Sequence, residues 1–216
     1  MSVTKLQQAV QFVSEKDYEK AAQLFIEYID EEPKDPIGYI NFANLLAVTN
    51  QLEEAERFFL KAIELDEKGA TAYYGLGNLY YDQALYTEAE KMFQHCLSLG
   101  LEDADVYFML GMTYFQRKDV KLSLPFLQRA TEIEKQPDML FQYGLALAQT
   151  NFVKEAETIW LKVLEYEANH ADTLYNLGII AVQRNDRNLA LTYLNKTLQA
   201  QPNHTLAQEA KGNLES

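Results

Sequence analysis

Apolar residues recur along this chain on two scales. Over short windows they fall at i, i+3, i+4 and i+7, the spacing of one helix face. Over longer distances the whole arrangement returns after 34 residues. The segment from Ala70 to Asp103 places Tyr73, Leu76, Gly77 and Tyr80 in one amphipathic stretch and Ala89, Phe93 and Cys96 in the next. One period further on stand Tyr107, Leu110, Gly111 and Tyr114, then Ser123, Leu127 and Ala130. One period back stand Tyr39, Phe42, Ala43 and Leu46, then Ala55, Phe59 and Ala62. Three more copies follow the same register: Ala9 and Phe12 with Ala21, Phe25 and Tyr28; Leu140, Tyr143, Gly144 and Leu147 with Ala156, Trp160 and Val163; and Leu174, Leu177, Gly178 and Ala181 with Ala190, Leu194 and Thr197. The copies span 2–35, 36–69, 70–103, 104–136, 137–170 and 171–204. The fourth is one residue short, a deficit assigned to its terminal turn near Gln136 and Pro137.

Each copy predicts two amphipathic helices joined by a short polar turn, such as Asn50-Gln51, Lys118-Asp119 or Asn185-Asp186. Small residues (Gly77, Gly111, Gly144, Gly178, Ala55, Ala89, Ala156, Ala190) let the two backbones approach, while Tyr80, Tyr114, Phe93 and Trp160 fill the space to the next helix. An interior glycine costs a helix about 1 kcal/mol against alanine, so its return at one register position signals a packing gain that exceeds the cost. A lone hairpin cannot bury its apolar face, so the copies are expected to stack. Pro125 falls inside a predicted helix. Asp119 as N-cap would place it early, where a bend rather than a break is expected.

The pattern resembles the tetratricopeptide repeat, whose 34 residues carry an aromatic, Leu-Gly, Tyr, a small residue, an aromatic, a small residue and a proline, as Pro33 and Pro202 close two copies here. The resemblance implies an all-α, right-handed α-solenoid of helix-turn-helix hairpins. It also implies that ligands are met on the concave face by the first helix of each hairpin. Some members clamp the C-terminal carboxylate of heat-shock chaperones with a Lys and an Asn on one first helix and a Lys and an Arg two repeats on. Here those positions hold Tyr74 and Asn78 or Ile40 and Asn44, then Asp105 and Met109 or Asp138 and Gln142, so that partner class is not expected.

The ends predict a single tetratricopeptide domain over 2–204. Lys5 and Gln8 occupy positions that would face a preceding copy, so the first hairpin reads as a cap with nothing before it. The tail 205–216 carries Leu206, Ala210 and Leu214 at four-residue spacing, a one-sided helix suited to cover the last hairpin.

Beside the stripe used by the repeat, each first helix carries a second apolar stripe. It holds Ile40, Asn44 and Ala47; Tyr74, Asn78 and Tyr81; Phe108, Met112 and Phe115; Phe141, Leu145 and Ala148; and Tyr175, Ile179 and Val182. Each set shares one helix face. A helix apolar on two sides is either fully buried or presents a binding surface. For Ala47, Ala148 and Val182 burial against adjacent first helices is the expectation. The candidate groove comprises Ile40, Asn44, Tyr74, Asn78, Tyr81, Phe108, Met112, Phe115, Phe141 and Tyr175. Its rings would supply the large contact areas that dominate interfaces. Asn44 and Asn78 could donate to and accept from a peptide backbone, or be solvated. Asp105, Asp138 and Asp172 precede or open their helices, where first-turn acids need no other role. As rim charges they could also meet a partner Lys or Arg.

Charge sharpens the partner. The chain carries 19 basic and 32 acidic side chains, a formal charge of −13. The excess is lopsided: residues 1–103 hold 8 basic against 19 acidic groups, and residues 104–204 hold 10 against 11. Such a surface repels phosphate backbones and anionic lipid, so neither nucleic acid nor membrane is an expected partner. It favours a segment with basic and apolar anchors, though plain solvated helix faces are the preferred account of the acids. No apolar run is long enough to span a membrane, and Met1 to Val13 lacks a continuous apolar core of the signal-peptide kind, which together lead to a cytoplasmic expectation.

No chemistry stands out. His95, His170 and His204 show no metal-binding spacing, no glycine-rich phosphate loop occurs, and neither a metal nor a cofactor is expected. Cys96, the single cysteine, sits at a small-residue core position and reads as an inert buried thiol. Trp160 shares the register of Phe59 and Phe93 and reads as core. The sequence Asn203-His204-Thr205 fits a glycosylation triplet but carries no weight without a secretory leader. The expected function is a non-enzymatic, protein-binding adaptor or scaffold. The alternatives are a self-associating, homo-oligomeric module and a regulatory subunit of a larger complex.

Overall fold

The computed structural model describes residues 4–215; residues 2 and 3 of the first predicted copy, the start of the N-terminal segment and residue 216 of the tail lie outside them. The described residues form thirteen α-helices and no strand. In order they are α1 Lys5–Ser14, α2 Tyr18–Glu31, α3 Pro36–Val48, α4 Leu52–Leu65, α5 Ala70–Asp82, α6 Tyr86–Ser98, α7 Ala104–Gln116, α8 Val120–Ile133, α9 Pro137–Gln149, α10 Val153–Tyr166, α11 Ala171–Gln183, α12 Arg187–Ala200 and α13 Thr205–Glu215. They pair as six hairpins followed by one terminal helix. The chain divides into two compact units, Met1–Tyr114 and Phe115–Ser216, with the boundary inside α7.

The hairpin tips share one backbone solution. Lys16, Asn50, Ala84, Lys118, Asn151 and Asn185 all adopt positive φ, between 58° and 69°. Each follows its first helix by a fixed offset. Five of the tips then close with the long hydrogen bond of a Schellman motif: Asp17 N to Phe12 O (2.9 Å), Gln51 N to Leu46 O (2.8 Å), Leu85 N to Tyr80 O (2.8 Å), Phe152 N to Leu147 O (2.9 Å) and Asp186 N to Ala181 O (2.9 Å). Carbonyls that a helix end would leave open are thereby satisfied by the chain's own backbone.

The core repeats with the same pitch. Phe25, Phe59, Phe93, Leu127, Trp160 and Leu194 occupy equivalent positions on the second helices, and none is more than 3% exposed. The small positions opposite them work as expected. A methyl built on Gly77 would lie 2.7 Å from the Phe93 ring, and one on Gly144 would overlap the Trp160 indole. Tyr80 donates to Glu56 (2.6 Å) and Tyr114 to Glu90 (2.8 Å), so in unit 1 the same Tyr–Glu staple joins consecutive hairpins twice. Burial, reinforced by Glu56, pushes the Tyr80 phenol above its ordinary value. In unit 2 the guanidinium of Arg184 makes two hydrogen bonds to Glu157, at 2.7 and 2.5 Å, at the corresponding joint.

Pro125 causes no break, as expected, while two other details depart from the sequence expectations. Pro125 lies at the sixth residue of α8, and the helix runs through it to Ile133. Asp119 stands at the N-cap position, but its side chain makes no capping bond; it pairs with Arg117 at 3.3 Å instead. In α13 the docked face is Ala207 (fully buried) with partly buried Ala210, Lys211 and Leu214, whereas Leu206 is 54% exposed. The four-residue spacing from Leu206 misplaced that face by about one residue, because the covered positions follow i, i+3, i+4, i+7.

Candidate functional site

In unit 1, α1 approaches α3 and α3 approaches α5, so the first helices form one layer and the second helices back it. The second apolar stripe lies on this layer. Ile40 and Ala47 are half-buried and pack against the core, while Asn44 between them is exposed. Tyr74, Asn78, Tyr81 and Phe108 are half-buried. Met112 is the exception: at 9% exposure it belongs to the core, so it is removed from the candidate surface.

The aromatic rings are held from behind. Tyr74 packs on Phe93 at a tilt of 57° with centroids 5.9 Å apart, and Tyr81 meets Tyr86 edge-on at 5.5 Å. Burial raises the Tyr74 phenol above its ordinary value; the Asn78 amide beside it opposes that shift, and the carboxylates of Asp105 and Asp103 reinforce it. The Asn78 Oδ1 atom is shielded from solvent and accepts no hydrogen bond among the described residues. A shielded acceptor without a donor costs about 1–3 kcal/mol, so a donor brought by a ligand or by amide rotation would be favoured there.

Unit 2 carries its own part of the stripe. Phe115, Phe141 and Tyr175 are half-buried. Phe141 lies between the Trp160 indole (6.5 Å) and the His170 ring (4.8 Å), and Tyr175 lies 4.9 Å from the His204 ring. Both histidines have a structural task that the sequence did not reveal. His170 Nδ1 accepts the Thr173 N–H (3.1 Å) and His204 Nδ1 accepts the Ala207 N–H (3.2 Å), so each ring caps the helix that follows. The acceptor role fixes the tautomer, with hydrogen on Nε2; in His204 that nitrogen faces Asp172 at 3.3 Å.

Sequence reasoning overlooked the exposed aliphatics flanking the stripe at the start of unit 1. Val10 (47%), Ile37 (49%) and Val48 (64%) stand open, and Val10, Val13, Asn41, Asn44 and Val48 rim a small hollow of about 110 Å³. Their signal was present: Ile37 and Val48 fall on the flank of the Ile40–Asn44 face, one helical step away. Cys96 is fully buried and its Sγ lies 3.5 Å from the Ala70 carbonyl; burial pushes the thiol up to about 12, far from the range of a nucleophile. Among the described residues no group of three metal-ligating side chains is assembled, and no helix is long and apolar enough to cross a membrane.

Comparison with known proteins follows the same lines. Tetratricopeptide repeat family models match residues 12–76, 69–136 and 171–204. A 41-residue stretch is 56% identical to the TPR repeat-containing protein YrrB of Bacillus subtilis (strain 168), an alignment that spans 20% of that protein. The crystal structure of YrrB, described as a TPR protein with an unusual peptide-binding site, superposes with a TM-score of 0.77 at 42% identity, covering 88% of this chain and 99% of that one. The fold extends to far more distant chains: PilF of Pseudomonas aeruginosa superposes with a TM-score of 0.85 at 17% identity, covering 97% of this chain and 96% of that one. With its 34-residue hairpins, its recurrent core register and a relative at this identity over nearly the whole length, the chain belongs to the tetratricopeptide repeat family of all-α, helix-turn-helix solenoids.

Proposed function

We propose that this chain is a non-catalytic adaptor that holds a segment of another protein against the aromatic face of its first helices. The observation that carries the reading is the set of half-buried rings, Tyr74, Tyr81 and Phe108, on successive first helices of unit 1. Tyr74 is braced by Phe93 and Tyr81 by Tyr86, and all three rings stay part-exposed, as in a preorganised contact surface. Phe115, Phe141 and Tyr175 extend the same chemistry in unit 2. The peptide-binding site described for YrrB supports the class of ligand. Unit 1 holds 8 basic and 20 acidic side chains, which favours a segment with Lys or Arg beside its apolar anchors. An open surface that must order a flexible segment gives affinities of about micromolar. The cytoplasm is the proposed location.

The test is a double substitution. Tyr74→Ala with Phe108→Ala is expected to weaken partner binding at least tenfold while Tm falls by only a few degrees, roughly the loss of two half-exposed ring contacts. Binding is read by isothermal titration with the partner recovered by affinity capture and melting by circular dichroism. If the pair unfolds the protein as readily as Gly144→Leu, the rings are core and the assignment fails. Self-association is the second reading, favoured by Leu206 (54% exposed) and Leu189 (38%) near the C-terminal end. Light scattering across a concentration series separates the two, since the adaptor needs no second copy.

A further inference from the structure

The second-helix layer of unit 1 carries a concavity that the repeat pattern does not use. Tyr39, Phe58 and Leu60 form the apolar floor of a hollow of about 480 Å³, and Arg57, Lys61 and Glu64 form its rim. Tyr39 packs on Phe58 with centroids 6.1 Å apart and donates its hydroxyl to the Pro33 carbonyl (3.1 Å), so the floor presents no unmet polar group. Leu60 is 48% exposed. Lys61 is tied to Glu64 at 3.0 Å, whereas Arg57 is exposed and forms no ion pair with a described residue.

The molecule itself indicates what fits. In the next hairpin the register of Lys61 is taken by His95, and its imidazole lies on Tyr73, the counterpart of Tyr39, with centroids 4.2 Å apart. A planar ring thus occupies there the place that a flexible lysine leaves open beside Tyr39. The register opens again in unit 2, where Leu140, Ile159, Lys162 and Glu165 line a hollow of about 370 Å³. The position is thus filled by a ring at Tyr73 and left open beside Tyr39 and Leu140, where its second-helix residue is lysine.

We infer that the hollow of Tyr39, Phe58 and Leu60 receives an aromatic side chain of a partner segment, with an adjacent carboxylate of that segment paired to Arg57. The ring takes the place that His95 takes on Tyr73, and the guanidinium supplies two parallel donors to the carboxylate. Unit 1 is otherwise strongly acidic, so the carboxylate is drawn to the hollow by Arg57, whose guanidinium pairs with no described carboxylate, while Lys61 stays tied to Glu64. The socket lies on the helix layer opposite the proposed adaptor face and stands or falls independently of it.

The probe is the tetrapeptide acetyl-Ala-Phe-Glu-Ala-amide, titrated into the ¹⁵N-labelled full chain and followed by amide shifts. The expected result is saturable shifts at residues 57–64 and Tyr39, with millimolar affinity for so small a ligand. Replacing the probe's Glu by Lys should weaken it about fivefold, the size of one exposed charge pair. Replacing its Phe by Ala should abolish saturation. Arg57→Glu should weaken the parent probe at least fivefold with an unchanged melting curve, since Arg57 is exposed. Absence of saturable shifts up to about 10 mM, equal binding of the Lys probe, indifference to Arg57→Glu, or shifts centred on Tyr74 and Phe108 would each overturn the inference.

Discussion

At the scale of single residues, the recurrent glycines divide by what stands opposite. A methyl on Gly144 would collide with a rigid indole that is itself fixed by a hydrogen bond to the Phe141 carbonyl (3.3 Å). A methyl on Gly178 would sit 3.3 Å from Leu194, a side chain that can shift. Gly144→Ala is therefore expected to destabilise by about 1–3 kcal/mol through overpacking. Gly178→Ala should be near neutral, because the helix gains about 1 kcal/mol of propensity that offsets a mild clash. Denaturant melts of the two variants decide this; equal effects would mean that the ring opposite is not the reason for the glycine. The glycines' register was legible from the 34-residue period. Their unequal tightness was not, since it depends on whether Trp or Leu comes back at the facing position. Met112 shows the limit in another way: a stripe defined by helical phase alone does not distinguish a ring left half-open from a thioether drawn fully inside.

Two titrating groups belong to this scale as well. The Tyr28 hydroxyl donates to Asp35 at 2.5 Å, which together with burial raises that phenol to about 12, and burial raises Cys96 to about 12. Both groups hold their protons longer in the folded chain than in the unfolded one, whose ordinary values lie near 10 and 9. Their contribution is present in full below those values and is lost as pH climbs towards 12. Stability should be flat from neutrality to about pH 9 and then fall, with a shallower fall in Tyr28→Phe and in Cys96→Ala; chemical melts at stepped pH measure it. A parallel decline in all three proteins would assign the alkaline loss elsewhere.

At the scale of elements, the helices followed from the pattern with little ambiguity, because a two-helix period with Asn or Lys at five of the six tips, Ala84 being the exception, leaves few alternatives. The terminal helix was harder. Its apolar residues are few, and Leu206, Ala210 and Leu214 alone do not specify which side meets α12. The structure turns it so that Ala207 is buried and Leu206 faces out. Leu206→Lys should then change stability by less than about 0.5 kcal/mol, as for other surface sites. Ala207→Asp should undock α13, at about 2 kcal/mol or more, since it buries an unpaired charge. Hydrogen exchange at residues 207–214 reports the docking, and protection surviving Ala207→Asp would reverse the assigned face. The capping rings of His170 and His204 were invisible beforehand, because an imidazole is not among the side chains usually expected to close a helix start.

At the scale of the whole molecule, charge separates the halves more sharply than composition does. Met1–Tyr114 holds 8 basic and 20 acidic side chains, and Phe115–Ser216 holds 11 and 12. Crowded like charges oppose the compact state, and salt relieves them within a Debye length of about 8–10 Å. Raising ionic strength from about 0.01 M to about 0.15 M should therefore slow hydrogen exchange across α2 to α6 more than across α9 to α12. A uniform response would mean that the acidic faces are too dispersed to matter. The fold class was legible in the 34-residue period. The outer socket was not, because it is made by what one register position lacks, and a lysine in a sequence does not announce the space beneath it.

The joints between hairpins vary in length while the tips do not. Residues 134–136 make a three-residue joint, 99–103 a five-residue joint, and the others four, whereas every tip carries its left-handed residue at one offset. The one missing residue of the fourth copy thus falls where one hairpin hands over to the next, and the five-residue joint follows an α6 one residue shorter than α4 or α8. The roomiest handover also contains Gly100, which has no neighbour within 4 Å of where a side chain would start. An inserted tag or fluorophore site belongs at that handover, because a tip lengthened by even one residue forfeits the self-satisfied hydrogen bonds that close the corner.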